Sequence, residues 1–330
     1  MALTLKDLAR LANVAESTVS RAINNKPGVS EEKRKEIIKL ADKYNYKPNR
    51  LAKGLAEKRT KIIALLLPDL EYDSSLHFIN TVEEELEKQN YQMLICNTKK
   101  NLAKSEKYLQ MLAEDRVDGV IVFGETPTGG NLIKLGLDKG EKIVLIDKLL
   151  EEMVLTSHLI NHKKSGELAA ETLLKRKLIK SSIIMIGEEN DYIEQERVKG
   201  FTSKSKEYGL NPNIITGLKT REDGYESFFD LIDNISLPAG IFITSNIAGI
   251  GLMESIKTGG WFIPDDFEII GCGQDKISQA SNPKLTIIKE PFKEMAKAAV
   301  SSLINGIETE VSSGKVKIFD PEIVENDSTK

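Results

Sequence analysis

The chain has 330 residues, 40% of them hydrophobic and 29% charged. That length allows two or three domains with sizeable cores, and the composition fits a folded globular protein rather than a disordered one. No apolar run approaches the roughly 18 residues of a membrane span, and the start MALTLKD lacks the regions of a secretory signal. Two cysteines, Cys96 and Cys272, make neither a disulfide framework nor a zinc spacing, so reduced, buried thiols in a cytoplasmic protein are expected.

The net charge of −4 hides an asymmetry. Residues 1–60 hold 14 Lys and Arg against 7 Asp and Glu, a balance of +7, and the rest balances at −11. A basic end on an acidic body suggests one module built for a polyanion. A merely solvated basic face is the alternative on charge alone.

The residue pattern favours the first. Thr4 with Asp7 reads as a helix N-cap and a first-turn acid, and Leu5, Leu8, Ala9 and Ala12 make one apolar helix face. Asn13-Val14 breaks it. A second helix is expected from about Glu16 to Asn24, with Val19 and Ile23 inward and Glu16, Ser17, Ser20, Arg21 and Asn24 outward. Short hydrogen-bonding groups and one Arg are the types that read base edges and phosphates. Lys26-Pro27-Gly28 ends this helix, and Ser30 caps a third with Ile37, Leu40, Ala41 and Tyr44 on one face. Two short helices joined by a tight turn are the outline of a helix-turn-helix. Lys47-Pro48 stops the third helix. The segment RLAKGLAEKRTK after it has Leu51 and Leu55 at i, i+4, but it is too short to hold as an isolated helix and is expected to order against DNA and a second copy of itself, with an ordinary flexible linker as the alternative.

From Lys61 onward, apolar runs alternate with helical patterns: KIIALLL, YQMLIC, VDGVIVF, KIVLI, SSIIMI, AGIFIT, FEIIG and LTIIK. Such runs imply parallel strands covered on both faces. Their number exceeds one comfortable doubly wound sheet, so two lobes with a ligand cleft at the strand carboxyl ends are expected.

The stretch TLKDLARLANVAESTVSRAINNKPGVSEEKRKEIIKLADKYNYKPNRLAKGL resembles the DNA-binding head of the lactose-repressor (LacI/GalR) family of transcription regulators. The resemblance implies base-reading positions at Glu16, Ser17 and Arg21, with Arg21 bidentate to guanine. It places further DNA contacts at Thr4, Thr18, Asn24, Tyr46, Asn49 and Lys53, and a minor-groove wedge at Leu55. Ala15 departs from the family pattern, which has Ser there as the cap of the reading helix. The body resembles the family's periplasmic-binding-protein-like core through Arg116-VDGVIVF, Gly166, Ala169, Arg197, Gly200-Phe201, Asn246 and Pro264-Asp265-Asp266. The implied fold is α/β, a three-helix head on a two-lobed core of doubly wound parallel sheets. The implied divisions are a head over 1–48, a hinge over 49–60, and a core over 61–330. Lobe one then takes about 61–160 and 291–320, and lobe two about 161–290 and 321–330, with crossovers near Ser157–His162, Lys289–Pro291 and Phe319–Pro321.

At the pocket the chain departs from sugar-binding members. The matching positions hold Ser74 (or Ser75), Lys148, Asn161, Arg197, Asn246 and Gln274. Several acids that would meet sugar hydroxyls are missing, so an anionic effector, such as a phosphorylated sugar or an organic acid, is expected. A pocket of other geometry, or no small effector, stands beside it. The phosphate-loop, nucleophile-elbow and dinucleotide motifs of enzymes are absent from the sequence, so no enzyme and no cofactor are expected. His158 and His162 are expected on a strand and crossover, where i, i+4 residues lie about 13 Å apart, so no metal site is expected. Trp261 could stack on a ligand, but at a helix-to-strand turn packing or surface exposure is expected.

Together these imply a homodimeric regulator, a repressor, acting on a near-palindromic double-stranded DNA operator under a small-molecule effector. A protein corepressor in place of the small molecule, or a solute receptor without a DNA role, are the alternatives.

Overall fold

A computed structural model describes residues 4–46, 59–70, 73–124, 142–150, 155–273, 279–311 and 314–330. It divides into two compact units, Met1–Lys61 and Ile62–Lys330.

The first unit holds α1 (Leu5–Leu11), α2 (Glu16–Ile23) and α3 (Glu31–Lys43). Thr4 and Asp7 form a reciprocal capping box, with the Asp7 N–H donating to Thr4 Oγ1 at 3.2 Å and the Thr4 N–H to Asp7 Oδ2 at 3.0 Å. Ser30 caps α3 by accepting from the Lys33 N–H at 3.3 Å. Ala15 gives α2 no side-chain cap. Asn13 turns the chain between α1 and α2 at φ 52°, which a short polar side chain tolerates better than most. Leu8, Ala9, Ala12, Val19, Ala22 and Ile37 form the buried centre. One expectation fails here: Tyr44 is 43% exposed. The helix ends at Lys43, and Asn45 at φ 48° reverses the chain so that the Tyr46 N–H reaches the Ala41 carbonyl at 2.8 Å. Tyr46 therefore packs on the small core in place of Tyr44.

In the second unit, twelve strands among the described residues form two six-stranded sheets. Lobe one has β1 (Ile62–Leu67), α4 (Asp73–Lys88), β2 (Gln92–Asn97), α5 (Leu102–Ala113), β3 (Gly119–Phe123), β4 (Ile143–Ile146) and β5 (Thr156–Ile160). The chain then builds the second lobe from α6 (His162–Leu174), β6 (Ser181–Met185), α7 (Tyr192–Glu207), β7 (Asn213–Ile215), α8 (Arg221–Ile232), β8 (Ala239–Ile243), α9 (Asn246–Thr258), β9 (Phe267–Gly273) and β10 (Thr286–Lys289). It returns as α10 (Phe292–Thr309) and β11 (Val316–Phe319) to the first sheet, and ends as β12 (Glu322–Val324) on the second. The orders are β11-β5-β4-β3-β1-β2 and β12-β10-β9-β8-β6-β7. All recorded pairings are parallel except β10 with β12, so the second sheet carries an antiparallel edge that the apolar pattern did not reveal.

Each sheet is sandwiched. Phe78, Val82 and Leu86 of α4 join Met295, Ala299 and Leu303 of α10 on one face of the first, and Leu109 and Leu112 of α5 cover the other. In the second lobe α6 and α7 cover one face, α8 and α9 the other. Of the two expected settings for Trp261, packing and exposure, the structure shows packing on that second core, edge-on to Phe267 at 6.4 Å. Glycines set both helix pairs of this lobe. A Cβ on Gly166 would overlap the Arg197 carbonyl, and one on Gly200 would overlap that of Lys163. Gly224 and Gly251 play the same parts between α8 and α9. The first of these close crossings holds the start of α6 against Arg197 of α7.

Candidate DNA-reading face and interlobe site

Glu16, Ser17 and Arg21 are exposed on α2, whose opposite side buries Val19 and Ala22. A 3.6-residue period places them there: once Val19 and Ala22 face the core, Ser17 and Arg21 face away. Thr18 and Asn24 are half-buried, and the Asn24 amide donates to the Ser20 carbonyl at 2.8 Å, finishing the helix. Thr4 is exposed at the start of α1. Lys6, Arg10 and Glu16 line a concave surface of about 540 Å³ beside the α1–α2 turn. Burial raises the Tyr46 hydroxyl pKa, in keeping with its packing. Asn49, Lys53 and Leu55 lie outside the described residues.

The second candidate lies where the two sheets' strand ends meet. Asp147 follows β4, Asn161 and His162 follow β5, Thr244 and Asn246 follow β8, and Glu290 follows β10. All are at carboxyl ends of parallel strands, where the amino ends of helices gather and ligands of such sheets bind. Arg197 of α7 is 8% exposed and Glu290 7%. Its Nη2 donates to Glu290 Oε1 at 2.7 Å, and Nη1 lies 3.5 Å from Glu194 Oε2. Thr244 Oγ1 donates to Glu194 Oε1 at 2.8 Å. His162 Nε2 meets Asp147 Oδ2 at 2.8 Å, its Nδ1 is 3.9 Å from Glu290 Oε1, and Asp147 Oδ1 accepts from the Ile160 N–H at 3.1 Å. The chain thus links both sheets and two crossovers through one buried ionic network. Arg197 Nε and His162 Nδ1 are buried without a hydrogen-bond partner among the described residues. Cys272, also buried, has its thiol pushed up by burial.

This geometry corrects part of the expected pocket. Arg197 is not an open anion contact, because two carboxylates already meet its charge. Asn161 caps α6 by accepting from the Lys164 N–H at 3.1 Å, and its amide donates to Asp320 Oδ1 at 2.8 Å, tying the first crossover to the third. Asn246 lies over the end of β9, where a Cβ on Gly271 would come within 2.5 Å of its Oδ1 and one on Gly273 within 2.8 Å of its Nδ2. Its Oδ1 is buried with no hydrogen-bond partner among the described residues. Lys148 is half-buried next to Asp147, Ser74 lies in the first turn of α4, and Gln274 falls outside the described residues. Sequence reasoning missed Asp147, His162, Glu194 and Glu290. Acids flanking the ends of apolar runs were the available signal for Asp147 and Glu290; nothing marked Glu194.

Residues 4–49 match the family described as bacterial regulatory proteins, lacI family, and residues 170–329 match the periplasmic binding protein-like domain. The HTH-type transcriptional repressor PurR of Pasteurella multocida is 29% identical over 330 residues, covering 99% of this chain and 98% of that protein. The HTH-type transcriptional regulator DegA of Bacillus subtilis is 30% identical over 302 residues, covering 89% and 88%. The lac repressor dimer bound to operator and the anti-inducer ONPF superposes with a TM-score of 0.84 at 18% identity, covering 100% of this chain and 99% of that one, which speaks to the fold. These relatives are named as transcription regulators, not enzymes. No described helix is long and apolar enough to cross a membrane. A capped three-helix head with an outward polar face on α2, two doubly wound lobes and matching relatives along the whole chain lead to one assignment: the protein belongs to the lacI family of bacterial regulatory proteins and is a DNA-binding transcriptional regulator.

Proposed function

We propose that the protein is a homodimeric repressor that acts in the cytoplasm and is controlled by a small molecule held between the lobes. Residues 1–48 form the DNA-reading head, 49–60 the hinge, and 61–330 the effector-binding and dimerisation core. The observation that carries the reading is the exposed face of α2, with Glu16, Ser17 and Arg21 outward and Val19 and Ala22 buried behind them. Arg21 makes the bidentate contact to guanine. Thr4, Thr18, Asn24, Tyr46, Asn49 and Lys53 bind the backbone and flanks, and Leu55 wedges the central step from the minor groove.

The effector meets Lys148, Arg197, Asn246 and the neighbouring Ser74 and Gln274, with Asn161 holding the crossover in place. Asp147, Glu194 and Glu290 outnumber the one guanidinium among them. A hydroxyl- or amine-bearing molecule therefore matches the site better than the anion expected from sequence, since carboxylates accept from such donors. Effector binding changes operator affinity, and linkage requires operator binding to change effector affinity by the same factor.

Selection of bound duplexes from a random pool tests the DNA reading. The reading requires a near-palindromic consensus, relaxed at one base pair per half-site by Arg21→Ala. Leu55→Ala should weaken operator binding far more than random-duplex binding, and equal loss on both would refute the wedge. Calorimetry with matched neutral and phosphorylated sugars tests the effector class; tight binding of the phosphorylated form alone would refute this polarity.

A further inference from the structure

Arg34 lies in the first turns of α3, yet it is only 9% exposed. An arginine on a basic, DNA-reading head is ordinarily a candidate phosphate contact. This one points the other way. Its Nη1 donates to the Ala22 carbonyl at 3.1 Å and lies 3.4 Å from that of Arg21, and its Nη2 donates to the Lys26 carbonyl at 2.9 Å. Its Nε lies 3.4 Å from Glu31 Oε1. The Arg21 and Ala22 carbonyls are among the last four of α2, which have no intrahelical N–H to accept from. They receive the Lys26 N–H at 2.9 Å and the Asn25 N–H at 3.3 Å, and Arg34 adds a planar, charged donor to both. The guanidinium also sits at the negative end of the α2 dipole.

The third carbonyl extends the effect beyond the helix. Lys26 begins the turn that leads to Gly28, at φ +98°. A Cβ on Gly28 would come within 3.4 Å of Arg21 Nη1, so the Arg21 side chain lies against this turn. Arg34 therefore holds two supports of Arg21: the backbone it springs from and the loop its guanidinium rests on. A bidentate base contact tolerates a misplacement of only about 0.5 Å.

We propose that Arg34 is a positioning residue for operator recognition. Through three backbone carbonyls it fixes the end of α2 and the turn at Gly28, and so the direction from which Arg21 reaches its base. The proposal rests on the base-reading role of Arg21. Lysine keeps the charge but is a point donor on a flexible stem and cannot span three carbonyls.

The test uses the full chain and the consensus duplex selected by it, with a random duplex of the same length. Arg34→Lys is expected to lower affinity for the consensus about tenfold or more, the scale of one bidentate base contact. Random-duplex affinity should stay within about twofold with an unchanged salt slope, because no phosphate contact is lost. Repeat selection should relax the same base pair that Arg21→Ala relaxes. In the Arg21→Ala background, Arg34→Lys should then cost little further. Unchanged consensus affinity would overturn the proposal. So would equal loss on both duplexes with a salt slope shallower by about 0.9, which marks a phosphate contact. A full additional loss in the Arg21→Ala background would reduce Arg34 to a general stabiliser of the head. If Arg21→Ala relaxes no base pair, the role of Arg21 itself falls; if it relaxes one and Arg34→Lys none, only the positioning role falls. Should Arg34→Lys melt the head, Gly28→Ala probes the same path from the other side. It strains the φ +98° turn on which the Arg21 guanidinium rests without touching the Arg34 side chain, and an unchanged base preference would overturn the proposal.

Discussion

Arg197→Leu removes the guanidinium that meets Glu290 at 2.7 Å and Glu194 at 3.5 Å, both in a region less than a tenth exposed. Taking one partner from a buried pair leaves a desolvated charge behind and costs about 3–5 kcal/mol. For a core of this size each kcal/mol moves the melting midpoint by roughly 2–4 °C, so the core transition should fall by about 10 °C. Calorimetric melting of the full chain, with no small molecule added, measures it. Raising salt should change the deficit little, because a buried pair is poorly screened. Adding Glu290→Gln should recover part of the loss, and a double-mutant cycle should report a coupling of about 0.5–3 kcal/mol. An Arg197 that served only as an open ligand contact would behave differently. Its loss would leave the apo core within about 0.5 kcal/mol of wild type, as for a site away from structural interactions, and would alter effector affinity alone. That result, or strict additivity in the cycle, would refute the network as a structural latch.

Three further predictions follow from local chemistry. Ala15→Ser supplies the missing side-chain cap of α2 and should stabilise the head by about 1 kcal/mol, read as slower amide exchange at Thr18 and Val19. His158, buried in β5 with Nε2 3.2 Å from Ser302 Oγ, has its pKa lowered by desolvation and then by Lys317. Its folded form binds a proton less readily than its unfolded form, so its stabilisation is complete above the unfolded value near 6.5. It is lost as pH falls through the lower folded value, by at most about 1.4 kcal/mol per pH unit. Comparing wild type with His158→Gln by urea unfolding from pH 7.5 to 5 should isolate that slope, and parallel curves would refute it. Burial pushes the Cys96 thiol up to about 11, so iodoacetamide at pH 8 should label it only after denaturation, by mass spectrometry.

Much of the fold was legible because its signals are local. Apolar runs such as Ile62–Leu67 and Gly119–Phe123 carry their strand identity in consecutive residues, and Thr4 with Asp7 announces a helix start by itself. The short β7, β11 and β12 were not legible, since three or four residues with none buried acquire strand geometry only from a neighbour's ladder. The antiparallel direction of β12 depends on a chain return that no local pattern encodes. The same division runs through the sites. The outward face of α2 follows from helix period once Val19 is placed inside. The roles of Arg34 and Arg197 do not, because beyond Glu31 and Glu194, three residues away, their partners lie 8 to 93 residues away in the chain.

By itself, then, the sequence determined a basic three-helix head, a βα-rich two-lobed body and the outward polar face of α2. Those are properties of composition, periodicity and capping, which act within a few residues. Only the tertiary structure decided which charges are committed to one another. It set Arg197 between two carboxylates, made Asn161 a tie between crossovers, and turned Arg34 onto the carbonyls at the end of α2. The physical reason is that a charged side chain spends its interaction on whatever desolvates with it, and that partner is set by the packing of distant segments.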